Sequence, residues 1–111
     1  MTLNYSTLPK DNEGFLLDPG DWSSELAEQI AKSEEIEMSQ DHWDVVHFVR
    51  SYYESNDTVP ELRTTLKYLK QHVGDDKATR KHVYRLFPYG YGQQACKIAG
   101  MRKPLKLMLD L

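Results

Sequence analysis

The only cysteine of this 111-residue sequence is Cys96, in the stretch QACKIAGMRKP. The thiolate is the nucleophilic form of cysteine, and nearby cations favour it over the thiol. Lys97, Arg102 and Lys103 are such cations, and no Asp or Glu lies among these residues in the sequence. Beside Ile98, however, the same cysteine also fits a small buried hydrophobic side chain. A reactive thiol and a core side chain both remain possible from the sequence.

Other residue types that carry chemistry lack the spacing that a site needs. His42 and His47 are five residues apart on one predicted helix, which separates them by roughly 140° and prevents a shared ligand face. His72 and His82 lie on separate predicted helices with no cysteine near them. The GYG at 90–92 is too short for a phosphate-binding loop. We therefore expect no metal and no cofactor.

The charges are divided unevenly along the chain. Eight of the 14 Lys and Arg residues lie between Lys77 and Leu109, where no Asp or Glu occurs, and all 17 acidic residues lie elsewhere. A basic C-terminal third on an acidic body can bind an anionic partner, such as a nucleic acid or an acidic protein surface. It can equally be a solvated face that pairs with the body, which a pI near 5.8 favours.

Length and composition predict one domain over 1–111, since 40% apolar residues are enough for a single core. The absence of a long apolar run predicts no spanning helix and no membrane partner. One cysteine cannot form an internal disulfide, which favours a reducing compartment, and we expect a cytoplasmic protein.

Turn residues in the N-terminal part predict a β-hairpin within residues 1–20. Pro9, Asp11, Asn12 and Gly14 separate two short apolar runs, as turn residues separate paired strands. Residues 101–111 are predicted as a C-terminal arm, in which leucines alternate with other residues.

Helical periodicity dominates residues 21–100. The clearest pattern follows the predicted N-cap Ser39 and has Val45, Phe48, Val49 and Tyr52 on one face. The other predicted helices begin near Asp21, run from Pro60 to Gly74, run from Lys77 to Leu86, and pass through Cys96 to end at Gly100. We expect a mostly α fold with a helix-turn-helix-like arrangement, an N-terminal hairpin and a C-terminal arm.

Three stretches, DHWDVVHFVRSYYE, VYRLFPYGYGQQACKIAG and RKP, together resemble the DsrC/TusE family of sulfur-carrier proteins. This family includes the gamma-like component of dissimilatory sulfite reductase and the sulfur-relay protein of tRNA 2-thiouridine synthesis. The resemblance implies a small orthogonal helical bundle with a mobile arm. It also implies partners such as a TusBCD-type complex, a tRNA 2-thiouridine synthase or a sulfite reductase-type complex.

Residue by residue, the resemblance is incomplete at the arm. Cys96 matches the upstream cysteine of the family, but Leu107 occupies the position of the terminal cysteine that carries sulfur as a persulfide. Arg63 and Lys67 match positions where similar members also carry bases, and the resemblance implies that they line the surface on which the arm docks. Tyr91 and Gln93 stand where proline and lysine are usual.

Two functional hypotheses follow from this departure. In the first, the chain is a sulfur-relay protein that carries sulfane sulfur on Cys96, helped by the flanking bases Lys97, Arg102 and Lys103. In the second, it is a non-catalytic binding protein that docks to sulfur-relay partners or to nucleic acid, with the arm residue Leu107 as an apolar contact.

Overall fold

The regular structure is helical in the computed structural model, which describes residues 4–103. The α-helices are α1 (Ser24–Ser33), α2 (Gln40–Asn56), α3 (Leu62–His72), α4 (Arg80–Leu86) and α5 (Cys96–Ile98). Short 3-10 turns lie at Tyr5–Thr7, Pro19–Asp21 and Asp75–Lys77, and a π-helical turn, Tyr91–Ala95, leads directly into α5. The prediction of a mostly α fold is confirmed.

The predicted N-terminal β-hairpin is wrong, because residues 4–20 contain no strand. A single antiparallel bridge joins Lys10 to Leu16 across a turn. The carboxylate of Asp11 accepts hydrogen bonds from the backbone N–H groups of Glu13 and Phe15, both at 2.9 Å. These bonds close a compact turn. The residues on either side of it form 3-10 turns and not the paired strands of a hairpin. The turn chemistry was therefore predicted correctly, and the strands were not.

Helix N-termini are fixed by side-chain caps. Ser39 caps α2 as predicted, and the imidazole Nδ1 of His42 accepts a hydrogen bond from the Ser39 N–H at 3.1 Å. Ser23 caps α1 by accepting a bond from the Leu26 N–H at 3.1 Å, so this helix begins later than the predicted Asp21. Thr79 caps α4 in the same way, which moves its start beyond the predicted Lys77.

The third helix also begins later than predicted. Pro60 precedes the helix, and Glu61 is its N-cap residue. The Pro60 carbonyl oxygen instead accepts a buried hydrogen bond from the hydroxyl of Tyr91 at 2.8 Å. This bond ties the start of α3 to the π-helical turn.

The hydrophobic core is built from one face of each long helix and from the segment around α5. Val45 and Val49 of α2 are fully buried, as predicted, whereas Phe48 and Tyr52 are only partly buried. Phe48 stacks on Tyr68 of α3, with 4.3 Å between ring centroids. Other fully buried side chains include Leu26, Ile30, Leu62, Leu69, Val83, Phe87, Ile98 and Met101. Each such large side chain contributes about 1.5–3 kcal/mol relative to an exposed position.

His42 connects the beginning of α2 to the end of α4. Its ring Nε2 donates to the Leu86 carbonyl oxygen at 3.0 Å, and its Nδ1 lies 2.7 Å from the Ser39 hydroxyl. Burial lowers the pKa of His42 below its ordinary value, since the charged form is poorly solvated there. The neutral imidazole is therefore part of the folded structure.

Candidate functional site

Cys96 is the first residue of α5 and lies inside the hydrophobic core. Its exposed fraction is 0%, and its neighbours Ala95, Ile98 and Ala99 are equally buried. All three residues of α5 are buried, including the charged Lys97, and the helix packs against both α1 and α2. The structure therefore gives Cys96 the role of a core side chain, one of the two possibilities that the sequence left open.

Lys97 does not serve as an unpaired cation beside the thiol. Its Nζ lies 3.4 Å from Oε2 of Glu34, at the end of α1, and 5.1 Å from the centre of the Phe15 ring. The second carboxylate oxygen of Glu34 accepts a hydrogen bond from Nε2 of Gln94 at 3.4 Å. No acid is near Lys97 in the sequence, but the fold brings Glu34 to it.

The two other bases of this segment are near the surface. Lys103 forms an ion pair with Glu13, and this contact raises the pKa of Lys103. Arg102 is exposed, whereas Met101, which was predicted to begin the arm, is fully buried. Leu107, the predicted apolar contact in the arm, lies outside the described residues.

The docking residues predicted on α3 lie on its solvent face. Arg63 and Lys67 are one helical turn apart and both exposed, and Lys70 continues the same stripe. Arg63 forms a surface ion pair with Glu61 at 3.4 Å. These residues are in solvent while Cys96 is in the core, so the structure does not gather the predicted site residues into one pocket.

The π-helical turn before Cys96 is fixed by a buried tyrosine. The hydroxyl of Tyr91 donates its proton to the Pro60 carbonyl oxygen at 2.8 Å, and therefore accepts from the Thr65 hydroxyl at 2.9 Å. Gln94 in the same turn accepts a hydrogen bond from the Tyr89 N–H at 3.0 Å. The segment leading into Cys96 is thus attached to α3 and to the preceding loop.

The end of α5 is closed by a Schellman motif. The N–H of Met101 donates to the Cys96 carbonyl oxygen at 3.1 Å, and the N–H of Gly100 donates to that of Lys97 at 3.0 Å. Gly100 adopts a φ of +77°, and a Cβ atom there would lie 2.3 Å from Cδ1 of Trp22. Only glycine fits this position without displacing the indole.

Trp22 and Arg50 bind the remaining carbonyl groups at this helix end. Trp22 Nε1 donates to the Ile98 carbonyl oxygen at 2.8 Å, and Arg50 Nη1 donates to that of Ala99 at 3.3 Å. The Arg50 guanidinium also lies over the Trp22 ring at 4.7 Å. We name Trp22, Arg50 and Gly100 the exit clamp, because they fix where the chain leaves the core. The sequence contains no local signal for these contacts.

Within residues 4–103, no group of three or more His, Cys, Asp and Glu side chains is arranged to hold a metal ion. In the same part of the chain, no helix is both long and apolar enough to cross a bilayer. The segment around Cys96 is part of the core, and the chain reaches the surface at Arg102 and Lys103.

These features define a small helical protein in which the stretch around Cys96 is part of the core and is followed at the clamped helix end by the exposed residues Arg102 and Lys103. Comparison with known proteins identifies the family: residues 2–108 match the family described as DsrC like protein. The chain belongs to this family.

Similar proteins of known name and structure agree with this assignment. Sulfurtransferase TusE of Buchnera aphidicola from Acyrthosiphon pisum is 42% identical over 94% of this chain and 91% of its own length. Sulfurtransferase TusE of Salmonella typhimurium is 45% identical over 86% and 88% of the two chains. The oxidized gamma-subunit of dissimilatory sulfite reductase (DsrC) from Archaeoglobus fulgidus superposes with a TM-score of 0.83 at 33% identity, over 94% and 92% of the chains.

Proposed function

We propose that this chain is a sulfur-relay protein that acts by docking to relay partners. Its relatives named sulfurtransferase TusE and its family membership support a place in sulfur relay. The observation that favours docking over transfer is the complete burial of Cys96, the only thiol in the sequence. A side chain without access to solvent cannot attack a persulfide on another protein.

The docking surface is formed by the exposed bases of α3. Arg63, Lys67 and Lys70 form one stripe, and their charge suits an acidic face on a partner. The partner is a TusBCD-type complex, a tRNA 2-thiouridine synthase or a sulfite reductase-type complex. The exposed Arg102 belongs to the same proposal, as does Leu107, which lies outside the described residues. We also propose that the helices pack in an orthogonal, helix-turn-helix-like arrangement.

A second candidate function is sulfur transfer by Cys96 itself, aided by the neighbouring bases Lys97 and Lys103. The observation that favours it is the π-helical turn Tyr91–Ala95, since such turns are frequent at functional sites. Local opening of this turn and of the short α5 would expose the thiol. The Cys96 thiolate would then attack the outer sulfur of a donor persulfide, and the donor would leave as a thiolate with no net oxidation.

Sulfur loading distinguishes the two candidates. The protein is incubated with a cysteine desulfurase and cysteine, and its intact mass is measured; docking predicts no gain of mass. Addition of one sulfur atom that is absent in Cys96→Ser would overturn docking without transfer and establish the second candidate.

Partner capture tests the docking surface separately. The charge-reversed variant Arg63→Glu/Lys67→Glu should lose binding to an immobilised relay partner, because the stripe then repels an acidic face. Lys32→Glu, an exposed position at the end of α1, is the matched control and should bind like the wild type. Equal capture by the α3 variant and the control would contradict the proposal.

A further inference from the structure

The outward face of α4 and the loop after it combine exposed bases with exposed aromatic rings. Val83 and Phe87 point into the core, so Lys81, Tyr84 and Arg85 face solvent on the opposite side. Tyr89 follows in the loop with 78% of its surface exposed. We name Lys81, Tyr84, Arg85 and Tyr89 the α4 surface.

Contacts within the loop make these side chains one surface. A Cβ atom built on Gly90 would lie 3.6 Å from Cε1 of Tyr84, so that the Tyr84 ring lies beside the loop that carries Tyr89. The backbone of Tyr89 is held by its hydrogen bond to Gln94 at 3.0 Å. Both rings are therefore presented from a backbone that is fixed in place.

The charge around the α4 surface suits a polyanion. No Asp or Glu occurs from Lys77 to Lys103 in the sequence. Asp41, an acid from α2 that reaches towards α4, is bound by Lys77 at 2.6 Å and lies 3.9 Å from His82. Asp75 and Asp76 precede the helix and limit the basic area on that side.

We propose that the α4 surface binds single-stranded nucleic acid, with bases stacked on Tyr89 and Tyr84 and phosphates paired with Lys81 and Arg85. Exposed aromatic rings between bases are the elements with which proteins bind unpaired strands. A protein partner is favoured less, because the centre of a protein interface is apolar, and no exposed Leu, Ile, Val or Met side chain occurs among residues 80–93. This surface shares no residue with the α3 stripe, and the nucleic-acid titration that tests it needs no relay partner.

The experiment measures fluorescence anisotropy of labelled oligouridine and oligothymidine of about ten nucleotides, titrated with the full chain. The affinity should fall steeply between about 50 mM and about 200 mM salt, because phosphate contacts release counterions. Lys81→Ala/Arg85→Ala should reduce the slope of log affinity against log salt by about 1.4, or about 0.7 for each lost phosphate contact. Lys32→Ala, an exposed base on α1 outside both proposed surfaces, is the control and should leave the slope unchanged. Comparison of the two oligonucleotides shows whether the 2′-hydroxyl contributes.

The aromatic contribution is tested with Tyr89. Tyr89→Ala should weaken binding by about 5- to 100-fold, because stacking on one base is lost, whereas Tyr89→Phe keeps the ring and should bind like the wild type. Circular dichroism checks that these exposed substitutions leave the fold intact. Absence of binding at the lowest salt, or equal binding by Tyr89→Ala and Tyr89→Phe, would overturn the proposal. So would unchanged nucleic-acid binding by Lys81→Ala/Arg85→Ala combined with lost capture of a relay partner, since the surface would then be a protein interface.

Discussion

Lys97, the residue next to Cys96, places its ammonium 3.4 Å from the carboxylate of Glu34, which is 63 residues away in the sequence. The two side chains are 10% and 22% exposed, so this ion pair is largely removed from solvent. It fastens the end of α1 to α5. Lys97 is therefore a paired cation that joins α5 to α1 in the folded state.

Lys97→Met should lower the free energy of unfolding by about 1–3 kcal/mol, because the Glu34 carboxylate loses a charged hydrogen-bond partner in a largely buried site. The measurement is urea denaturation followed by circular dichroism. Lys32→Met, on the exposed side of α1, is the control for loss of a lysine and should change stability little. A double variant, Lys97→Met/Glu34→Gln, should recover part of the loss; additive losses would contradict the pairing.

Alkylation of Cys96 by iodoacetamide should be much slower in the native protein than in urea, because the side chain has no exposed surface. The alkylation rate of the native protein should be about tenfold lower than that of the unfolded chain for each 1.4 kcal/mol of free energy needed to open the π-helical turn and α5. Mass spectrometry measures the labelled fraction over time, and Cys96→Ser confirms the site. Similar rates in buffer and in urea would show that the thiol is accessible in the folded state.

Gly100→Ala should destabilise the protein by about 1–3 kcal/mol through the left-handed backbone alone, and further through collision with the Trp22 ring. Gly20→Ala is the matched control, since its Cβ would meet only the Asp18 side chain. Thermal unfolding of the two variants measures the difference. Equal midpoints would mean that the exit clamp is not formed in solution.

Acidification should weaken the fold through His42. The pKa of this residue is lowered from 6.5 mainly by burial, so the unfolded chain binds more protons than the folded chain. The contribution of neutral His42 to the free energy of unfolding is fully present above pH 6.5, and it decreases as the pH falls through the pKa of His42 in the folded state. Urea midpoints above and below pH 6.5 measure it for the wild type and for His42→Gln. The variant should be less stable at neutral pH and should lose this part of the pH dependence; an unchanged pH dependence would contradict the assignment.

Local signals in the sequence predicted much of the helical structure. The Ser39 cap and the buried positions Val45 and Val49 followed from residue type and spacing within one helix. The glycine end of the last helix followed in the same way, because Gly100 favours a left-handed cap. The prediction of an N-terminal hairpin was wrong because the Asp11 carboxylate closes the turn by itself, without paired strands on either side. The helix-turn-helix-like arrangement stays a prediction.

The environment of the thiol could not be predicted, because it depends on residues that are distant in sequence. Glu34 neutralises Lys97, Glu13 pairs with Lys103, and Trp22 lies over Gly100. No spacing rule connects these pairs, since each joins residues that are far apart in the sequence and meet only in the folded chain. The π-helical turn likewise has no composition signal in YGQQA.

The exit clamp also affects when the protein can fold during its synthesis. Trp22 meets Ile98 across 76 residues, and Ile98 and Met101 complete a core that the earlier helices leave open. Such distant contacts form only after the intervening chain is available. The chain must therefore leave the ribosome as far as Met101 before the core can close, so the earlier helices stay incompletely buried until then.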